Sequence, residues 1–305
     1  MITTSPSEAR AILNRRQIPA DLPPVMALAL LVAPDGFHLV DGGSPDNLYM
    51  APSSPVDAER ALRQHGELAR TLRGCGVPVH VLPGDPELPD GVFPNNAFAT
   101  VPRRVVAGAM RHPLRQGEPL RPDIRAWFRN ELHYEILDLS GDGVVAEMTG
   151  PLVIDRARGI GFCGMSERVN HRGVEAMHDA LGLRLTVRFD LAPSEYHTNV
   201  VLAILAGRCC VLHPGSFAEQ DTVDALCDAY EGRALLLDDD EKRAFAGNCI
   251  AVTARDVLMS RTALDALRPS SRYFFEANGF RLHGVAVDEL EKAGGSLRCM
   301  IAEVY

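Results

Sequence analysis

Short apolar runs rich in β-branched residues alternate along the chain with longer segments in which apolar residues recur at helical spacing. Runs of about four to eight such residues are typical of buried strands, and a 3.6-residue period is typical of amphipathic helices. The apolar runs predict strands at 25–32, 77–82, 104–107, 134–137, 152–154, 183–187, 200–205, 209–212, 234–237, 250–253 and 297–303. The helical spacing predicts helices at 56–73, 123–132, 172–181, 219–229, 272–278 and 287–293.

The predicted strands outnumber the predicted helices by about two to one, which identifies an α/β fold but disfavours a doubly wound sheet. A doubly wound sheet has about one helix for each strand, so repeated strand-strand-helix-strand units fit the pattern better. Neither a low-complexity segment nor a long linker divides the chain, and the Pro- and Gly-rich stretch 83–91 is short enough to be a loop. We therefore expect one domain over residues 1–305.

Composition narrows the class of protein. The 305 residues are 46% hydrophobic and 23% charged, with a formal net charge of −9 and no dense cluster of Lys and Arg. These values are typical of a soluble globular protein and argue against a surface for nucleic acid or anionic membrane. The first residues contain no apolar stretch of signal-peptide length, and the seven cysteines show no disulfide-framework spacing. We therefore expect free thiols and a cytoplasmic location.

Common cofactor and metal motifs are either missing or explained by local structure. Residues 159–164 match GxGxxG, but 155–158 has the composition of a turn, so 160–163 is predicted to be the second strand of a hairpin. The adjacent Cys209 and Cys210 fall in a predicted strand, where neighbouring side chains point to opposite faces and cannot bind one ion together. The sequence therefore predicts no metal site and no dinucleotide site.

Four polar segments beside predicted strands carry the chemically informative residues. Asn95 and Asn96 follow a proline, and Glu147 lies in an otherwise apolar stretch, 142–150, bounded by glycines. His197 directly precedes an apolar run, and Cys299 ends a glycine-rich approach to the last strand. Each residue alone has an ordinary structural explanation: an ion pair for the carboxylate, a strand cap for the histidine, a core thiol for the cysteine. Together they form the set of nucleophile, base and orienting carboxylate used in covalent catalysis.

In this order the four segments resemble the guanidine-modifying (pentein) superfamily, which includes dimethylarginine dimethylaminohydrolases, arginine deiminases, succinylarginine dihydrolases and arginine amidinotransferases. The chain is most similar to the branch labelled arginine-deiminase-related or citrulline-utilisation hydrolase. That branch carries the signatures FPNN, EGTG, YHTNV and GGSxRCM, matched here at 93–96, 147–150, 196–200 and 294–300. The segment 166–174 is similar to the family's SxRTNxRG. The resemblance covers the chain from about Phe93 onward and implies five ββαβ units around a central polar channel, an α/β propeller.

The resemblance also implies a role for individual residues. Cys299 falls on the family's nucleophile, His197 on its acid/base and Glu147 on the carboxylate that orients the histidine. Arg168 falls on a residue that binds the substrate's carboxylate, and Arg115 is a second candidate for contacting an anion.

Two positions depart from the family pattern. Deiminases and dimethylaminohydrolases have an acidic residue where this chain has Asn96, and that acid clamps the cationic guanidinium. In dihydrolase members an amide at this place accompanies removal of both terminal nitrogens. Asn95 and Asn96 therefore favour a dihydrolase or a neutral ureido substrate such as a citrulline derivative. Met148 stands where the similar branch has glycine, and we expect it to reshape the pocket.

The resemblance implies a cysteine hydrolase that releases ammonia or an amine from a guanidino or ureido amino acid, with no metal or organic cofactor. An amidinotransferase using the same cysteine and histidine is an alternative, and a non-catalytic binding protein of the same fold is a second. The expected partner is a small molecule; the sequence does not decide between a monomer and a homodimer.

Overall fold

The computed structural model describes residues 1–14, 18–40, 44–51, 55–141 and 143–305. Asp142, which begins the second polar segment, lies outside the described residues. The described strands are β1 Ile2–Thr3, β2 Leu28–Val32, β3 Val79–Leu82, β4 Phe98–Val101, β5 Arg104–Ala107, β6 Glu135–Asp138, β7 Leu152–Asp155, β8 Ile160–Met165, β9 Leu185–Asp190, β10 Leu202–Leu205, β11 Cys209–Leu212, β12 Ala234–Leu236, β13 Ile250–Ala251, β14 Asp256–Ser260, β15 Arg281–Val285 and β16 Ala302–Val304. The described α-helices are α1 Pro6–Asn14, α2 Ala58–Gly74, α3 Pro122–Asn130, α4 His171–Ala180, α5 Thr198–Val201, α6 Gln220–Ala229, α7 Asp239–Arg243, α8 Arg261–Ala266, α9 Pro269–Ala277 and α10 Asp288–Glu291.

These strands form five small sheets with one repeated pattern. The orders are β1-β9-β8-β7, β10-β11-β12, β13-β14-β15, β16-β2-β3 and β4-β5-β6. Each sheet contains an antiparallel pair of strands. The second strand of that pair also pairs in parallel with a third strand, and a helical segment connects these two parallel strands. The strand-strand-helix-strand unit predicted from the excess of strands is therefore present five times. The fifth unit joins β16, near the C-terminal end, to β2 and β3 of the N-terminal half.

Helix α4 shows how local sequence fixes an element near the polar segments. The side chain of Asn170 caps the helix by accepting the N–H of Gly173, and it also accepts the N–H of Val145 at 3.3 Å. The helix ends before Gly182, whose φ of 59° belongs to the left-handed region that glycine adopts freely. Because Asn170 follows Arg168 closely and Val145 precedes Glu147, this cap ties two of the predicted site segments together.

Five hydrophobic clusters fill the space between sheets and helices. Cys210 belongs to one cluster and Cys209 to another, as expected for neighbours on one strand that face opposite ways. The hairpin predicted at 155–163 is confirmed, since β7 and β8 pair antiparallel. No described helix has both the length and the apolar composition needed to cross a membrane.

Several predicted strands begin too early, and two of these errors concern the site. Residues 198–201 form the short helix α5 before β10 starts, and Leu297–Met300 form a 3₁₀ turn before β16 starts. The backbone N–H of Val200 donates to the carbonyl of His197, and the N–H of Cys299 donates to that of Ser296. These local turns override the β preference of the apolar residues. His197 and Cys299 therefore stand on, or directly before, a helical turn that leads into a strand.

Candidate active site

The thiol of Cys299 lies in a polar environment although the residue is only 2% exposed. Its Sγ accepts a hydrogen bond from Nδ2 of Asn248 at 3.3 Å and another from Nδ2 of Asn199 at 3.6 Å. The residue lines a cavity with about 300 Å³ of empty space, together with Asn96, Arg115 and other residues. We call it the Cys299 cavity. The sulfur is therefore not sealed in hydrocarbon.

Asn248 holds the turn that presents this thiol. Its Oδ1 accepts the backbone N–H of Arg298 at 2.9 Å, and its Nδ2 also donates to the carbonyl of Asn199 at 2.8 Å. One amide side chain thus fixes the 3₁₀ turn carrying Cys299 and the helix that follows His197. Because Asn248 is fully buried, this geometry is set before any substrate enters.

His197 and Glu147 form a buried pair joined by a hydrogen bond of 2.9 Å between Nε2 and Oε2. An ionised carboxylate can only accept, so Nε2 carries the proton and Nδ1 of the neutral ring has a free lone pair. Nδ1 is buried and has no hydrogen-bond partner among the described residues. Burial lowers the pKa of His197 to about 4, although Glu147 acts in the opposite direction. The ring is therefore neutral near pH 7 and able to take up a proton.

Gly150 makes room for this imidazole. A Cβ atom at this position would lie 2.6 Å from Nε2 and Cε1 of His197, closer than such atoms approach. The carbonyl of Gly150 accepts the backbone N–H of Asn199 at 3.0 Å, which fixes the start of α5 against the same turn. In the part of the chain that the structure describes, no hydrogen bond joins Sγ of Cys299 directly to the imidazole; Asn199 links the His197 segment to the sulfur.

Cationic groups surround Glu147, which has no exposed surface. Nη1 of Arg168 donates to Oε2 at 3.1 Å, the backbone N–H of Arg111 donates to Oε1 at 3.1 Å, and Nη1 of Arg115 lies 3.7 Å from Oε2. Burial raises the pKa of Glu147, but Arg168, His197 and Arg115 outweigh it and hold the pKa well below its usual range. The carboxylate is therefore ionised, and its Oε2 accepts the hydrogen bond from the imidazole.

Both predicted anion contacts line the Cys299 cavity, but each guanidinium already has a carboxylate partner. Nε and Nη2 of Arg168 donate to the two carboxylate oxygens of Asp46 at 2.6 and 3.1 Å. Arg115 makes the same two-pronged contact with Glu118, with both distances at 2.8 Å. Of these carboxylates, Asp46 is the more exposed, at 18% of its side chain against 3% for Glu118. Asp46 is thus the partner that can be exchanged for a ligand more readily.

The two predicted amides have different positions. Asn95 is fully buried, and its Nδ2 donates to Thr149, so the structure does not place it in the cavity wall. Asn96 does line the cavity; its Oδ1 accepts Nη1 of Arg115 at 3.2 Å, and its Nδ2 has no hydrogen-bond partner among the described residues. Asn96 therefore offers the cavity a donor and not an acceptor.

Met148 has a backbone φ of 35°, in the left-handed region that favours glycine. This explains why glycine suits the position. The methionine side chain is fully buried in a hydrophobic cluster with Ala146 and Val106, and it does not line the Cys299 cavity. The expectation that Met148 reshapes the pocket is therefore wrong in so far as it requires the side chain to contact the cavity. The residue instead affects the backbone conformation next to Glu147.

Several residues of this site were not predicted individually from the sequence. Asn199 and Asn248 contact the sulfur, Asp46 and Glu118 neutralise the arginines, and Tyr196 lines the cavity and donates its hydroxyl to a backbone carbonyl at 2.6 Å. Asn248 could have been found, because it lies two residues before a predicted strand. Glu118 lies three residues after its partner Arg115, whereas nothing in the sequence near Asp46 indicates its partner Arg168.

Comparisons with known proteins identify the family of the chain. Residues 33–305 match the family described as N,N dimethylarginine dimethylhydrolase, eukaryotic. The N(G),N(G)-dimethylarginine dimethylaminohydrolase of Pseudomonas aeruginosa is 24% identical over 86% of this chain and 93% of its own length. The bifunctional arginine dihydrolase/ornithine cyclodeaminase ArgZ of Synechocystis is 29% identical over 81% of this chain, which spans only 33% of that protein. The substrate-bound structure of the N-terminal domain of ArgZ has a TM-score of 0.78 at 21% identity, covering 90% of this chain and 97% of that one.

These findings define the class: a hydrolase of carbon–nitrogen bonds in guanidino groups, within the guanidine-modifying superfamily. The chain belongs to the dimethylarginine dimethylaminohydrolase family. The resemblance found from the four polar segments is thereby confirmed at the level of superfamily and reaction class.

Proposed function

We propose that Cys299 is the nucleophile of this hydrolase, that His197 is its acid/base and that Glu147 orients the histidine. The observation that carries the proposal is the placement of Sγ: it lines a cavity with Arg168 and Asn96 and is held by two amides. The buried pair His197–Glu147 is tied to the same region through Asn199 and Arg168. The substrate is an arginine-like amino acid whose guanidino carbon enters between the sulfur and the imidazole.

The first half of the reaction follows from the neutral histidine. Nδ1 of His197 accepts the thiol proton as Sγ of Cys299 attacks the planar carbon, and an S–C bond forms. The proton then passes to a terminal nitrogen, because an amine leaves poorly as an anion. The C–N bond breaks, ammonia or an alkylamine departs, and a thiouronium-like adduct remains on the cysteine. Glu147 stabilises the transient imidazolium by accepting its Nε2–H.

The second half regenerates the thiol. Water attacks the adduct carbon, and His197, neutral again, takes a proton from it. The S–C bond breaks, the proton returns to the sulfur, and a ureido group is released. A bound cationic guanidinium near Sγ favours the thiolate, since a positive charge lowers a thiol's pKa.

Recognition of the amino-acid end requires an exchange at Arg168. The substrate's carboxylate takes the place of Asp46 on the Nε and Nη2 edge of Arg168, while Nη1 stays on Glu147. A planar carboxylate matches this edge in the same two-pronged way that Asp46 does. Arg115 is held by the more buried Glu118. It therefore offsets the negative charge of nearby carboxylates and does not bind the substrate's carboxylate directly.

Asn96 bears on the number of nitrogens removed. Its free Nδ2–H matches a carbonyl oxygen, such as that of the ureido product, better than it matches the N–H groups of a guanidinium. This supports a dihydrolase that retains the ureido group for a second hydrolysis, or an enzyme that starts from a ureido amino acid. The curated relative ArgZ is named as an arginine dihydrolase, which supports the same substrate class.

The five ββαβ units and the likeness to ArgZ support a five-bladed α/β propeller around a central channel, built as one domain over residues 1–305. A cytoplasmic location remains a prediction, and the choice between monomer and homodimer remains open.

An ammonia-release screen tests the function. The protein is incubated with arginine, methylated arginines, N-acylarginines and citrulline, with no added amine acceptor. We expect ammonia or alkylamine from at least one of them, and two equivalents of ammonia from arginine if Asn96 supports the second hydrolysis. Release that depends on an added amine would instead identify an amidinotransferase, and turnover of none of these compounds would overturn the proposal.

A further inference from the structure

The structure has a second cavity, with about 510 Å³ of empty space, close to the candidate active site. Asn199 lines it, while Nδ2 of the same residue donates to Sγ of Cys299. Most of its other lining residues are apolar and belong to strands β7, β10 and β13. We call it the Arg156 cavity. None of the residues assigned to catalysis lines it.

Three charged side chains line the Arg156 cavity: Arg156, Arg298 and Glu303. Nη2 of Arg298 donates to Oε2 of Glu303 at 2.8 Å, and Oε1 of Glu303 accepts the hydroxyl of Tyr305 at 2.9 Å. Burial raises the pKa of Glu303, but Arg298 and Arg156 outweigh it, and the pKa lies below its usual range. Two guanidiniums therefore share one carboxylate, so the three charged side chains that line the cavity carry one net positive charge.

The more weakly paired of the two guanidiniums is that of Arg156, whose side chain is only 9% exposed. Its Nη1 donates to the carbonyl of Thr100 at 2.8 Å, and its Nη2 stays 3.7 Å from Glu303. Nε and Nη2 are buried and have no hydrogen-bond partner among the described residues. The guanidinium lies over the ring of Tyr305, 4.3 Å from the centroid, so one face of the group is covered.

We propose that the Arg156 cavity binds a small oxyanion, a carboxylate or a phosphate, on the Nε–Nη2 edge of Arg156. That edge presents two parallel N–H donors, the arrangement that pairs two-pronged with both kinds of anion. A bound anion supplies the missing hydrogen-bond partners and the missing negative charge together. This site is separate from the carboxylate contact at Arg168, which faces the Cys299 cavity.

Isothermal titration calorimetry of the full chain with inorganic phosphate, and separately with succinate, tests the proposal and shows which anion is preferred. Arg156→Gln removes the charge and the paired donors, and we expect the affinity to fall by about tenfold or more. Glu303→Gln removes the opposing carboxylate, and we expect tighter binding by a few-fold. Arg63→Gln is the matched control: it makes the same change of charge on the exposed surface of α2 and should leave binding unchanged.

Thermal unfolding shows whether each variant is folded. If Arg156→Gln does not fold, Arg156→Lys keeps the charge but loses the paired donors, and it should still weaken binding. Failure of the wild-type protein to bind either probe at millimolar concentration would overturn the proposal. Equal binding by the wild type and a folded Arg156 variant would do the same, because it would place the anion elsewhere. Neither result bears on turnover at Cys299.

Discussion

The Cys299 cavity and the Arg156 cavity differ in how their charges are balanced. In the Cys299 cavity, Arg168 and Arg115 are each paired with carboxylates, and the free polar atom in its wall is the neutral Nδ2 of Asn96. In the Arg156 cavity, the free atoms belong to a guanidinium. Nearby charges shift the pKa of a buried imidazole, so their pairing matters for proton transfer, whereas an anion binds where paired N–H donors have no partner.

The two cysteines that line these cavities, Cys299 and Cys249, also differ in their surroundings. Cys299 and Cys249 are both 2% exposed, and each lines one of the two cavities. Burial raises the pKa of Cys249 to about 12. The sulfur of Cys299 instead accepts hydrogen bonds from two amide N–H groups. Polar contacts at the sulfur, and not burial alone, distinguish the proposed nucleophile from Cys249.

The largest expected effect comes from exchanging these thiols for hydroxyls. Cys299→Ser should lower kcat by at least about 10³-fold, because the hydroxyl is a far weaker nucleophile. Cys249→Ser, made in the other cavity, should leave kcat within a few-fold of the wild type. Ammonia release and thermal unfolding are measured for both. Similar losses of activity in two folded variants would remove the distinction drawn between the cavities.

Removing the carboxylate that balances the Cys299 cavity should also cost stability. Glu147→Gln leaves Arg168 without its buried partner, and we expect the free energy of unfolding to fall by about 3–5 kcal/mol. Glu135→Gln is the control: this exposed residue pairs with Arg104 at the surface, where such a pair contributes about 0–1 kcal/mol. Urea denaturation compares the two. A loss in Glu147→Gln no larger than that in the control would show that the charges are not coupled.

The pH dependence of stability tests whether His197 is neutral. Its pKa falls from 6.5 to about 4 on folding, so the unfolded chain binds the proton more readily. Neutral His197 therefore makes its full contribution to the free energy of unfolding above pH 6.5. This contribution, about 3 kcal/mol in total, is lost as the pH falls toward 4. His197→Asn should have a shallower slope over this range, while retaining the part contributed by His65, whose pKa is also lowered to about 4. Parallel slopes in denaturation at a series of pH values would contradict a buried neutral imidazole.

The smallest effect concerns substrate choice. Asn96→Asp replaces the free donor of the Cys299 cavity with an acceptor, and we expect kcat/KM to shift by about tenfold toward guanidino over ureido substrates. The variant is assayed with arginine and citrulline side by side. Asn95→Asp changes the neighbouring amide that does not line the cavity and serves as the comparison. A shift of the same size from Asn95→Asp would show that Asn96 has no special contact with the reacting group.

Local pattern predicted much of the fold. The strands at 104–107 and 209–212 have the predicted bounds, and helix α4 is displaced by only one residue. β14 and β15 were missed because Asp256, Arg281 and His283 interrupt their apolar pattern; these residues pair with one another at the strand ends. Which sheet each strand joins depends on contacts far apart in sequence, such as β16 with β2.

The candidate site was predictable in part for the same reason. Residues that lie beside strands in short polar segments, such as Cys299, His197 and Glu147, stand out in the sequence. Their partners do not: Asp46 reaches Arg168 across 122 positions of sequence, and Asn248 reaches Cys299 across 51. Such contacts follow from the packing of whole units, which residue pattern alone does not encode.

The most direct test of the account is the site of the covalent adduct. Wild-type protein is mixed with its best substrate, and the reaction is quenched in acid during turnover. The protein is then digested, and the masses of the cysteine-containing peptides are measured by mass spectrometry. The account predicts one modified peptide, containing Cys299, heavier by the substrate minus the departing amine. Turnover with an unmodified Cys299 peptide, or with the adduct on Cys249, would contradict the assignment of the nucleophile.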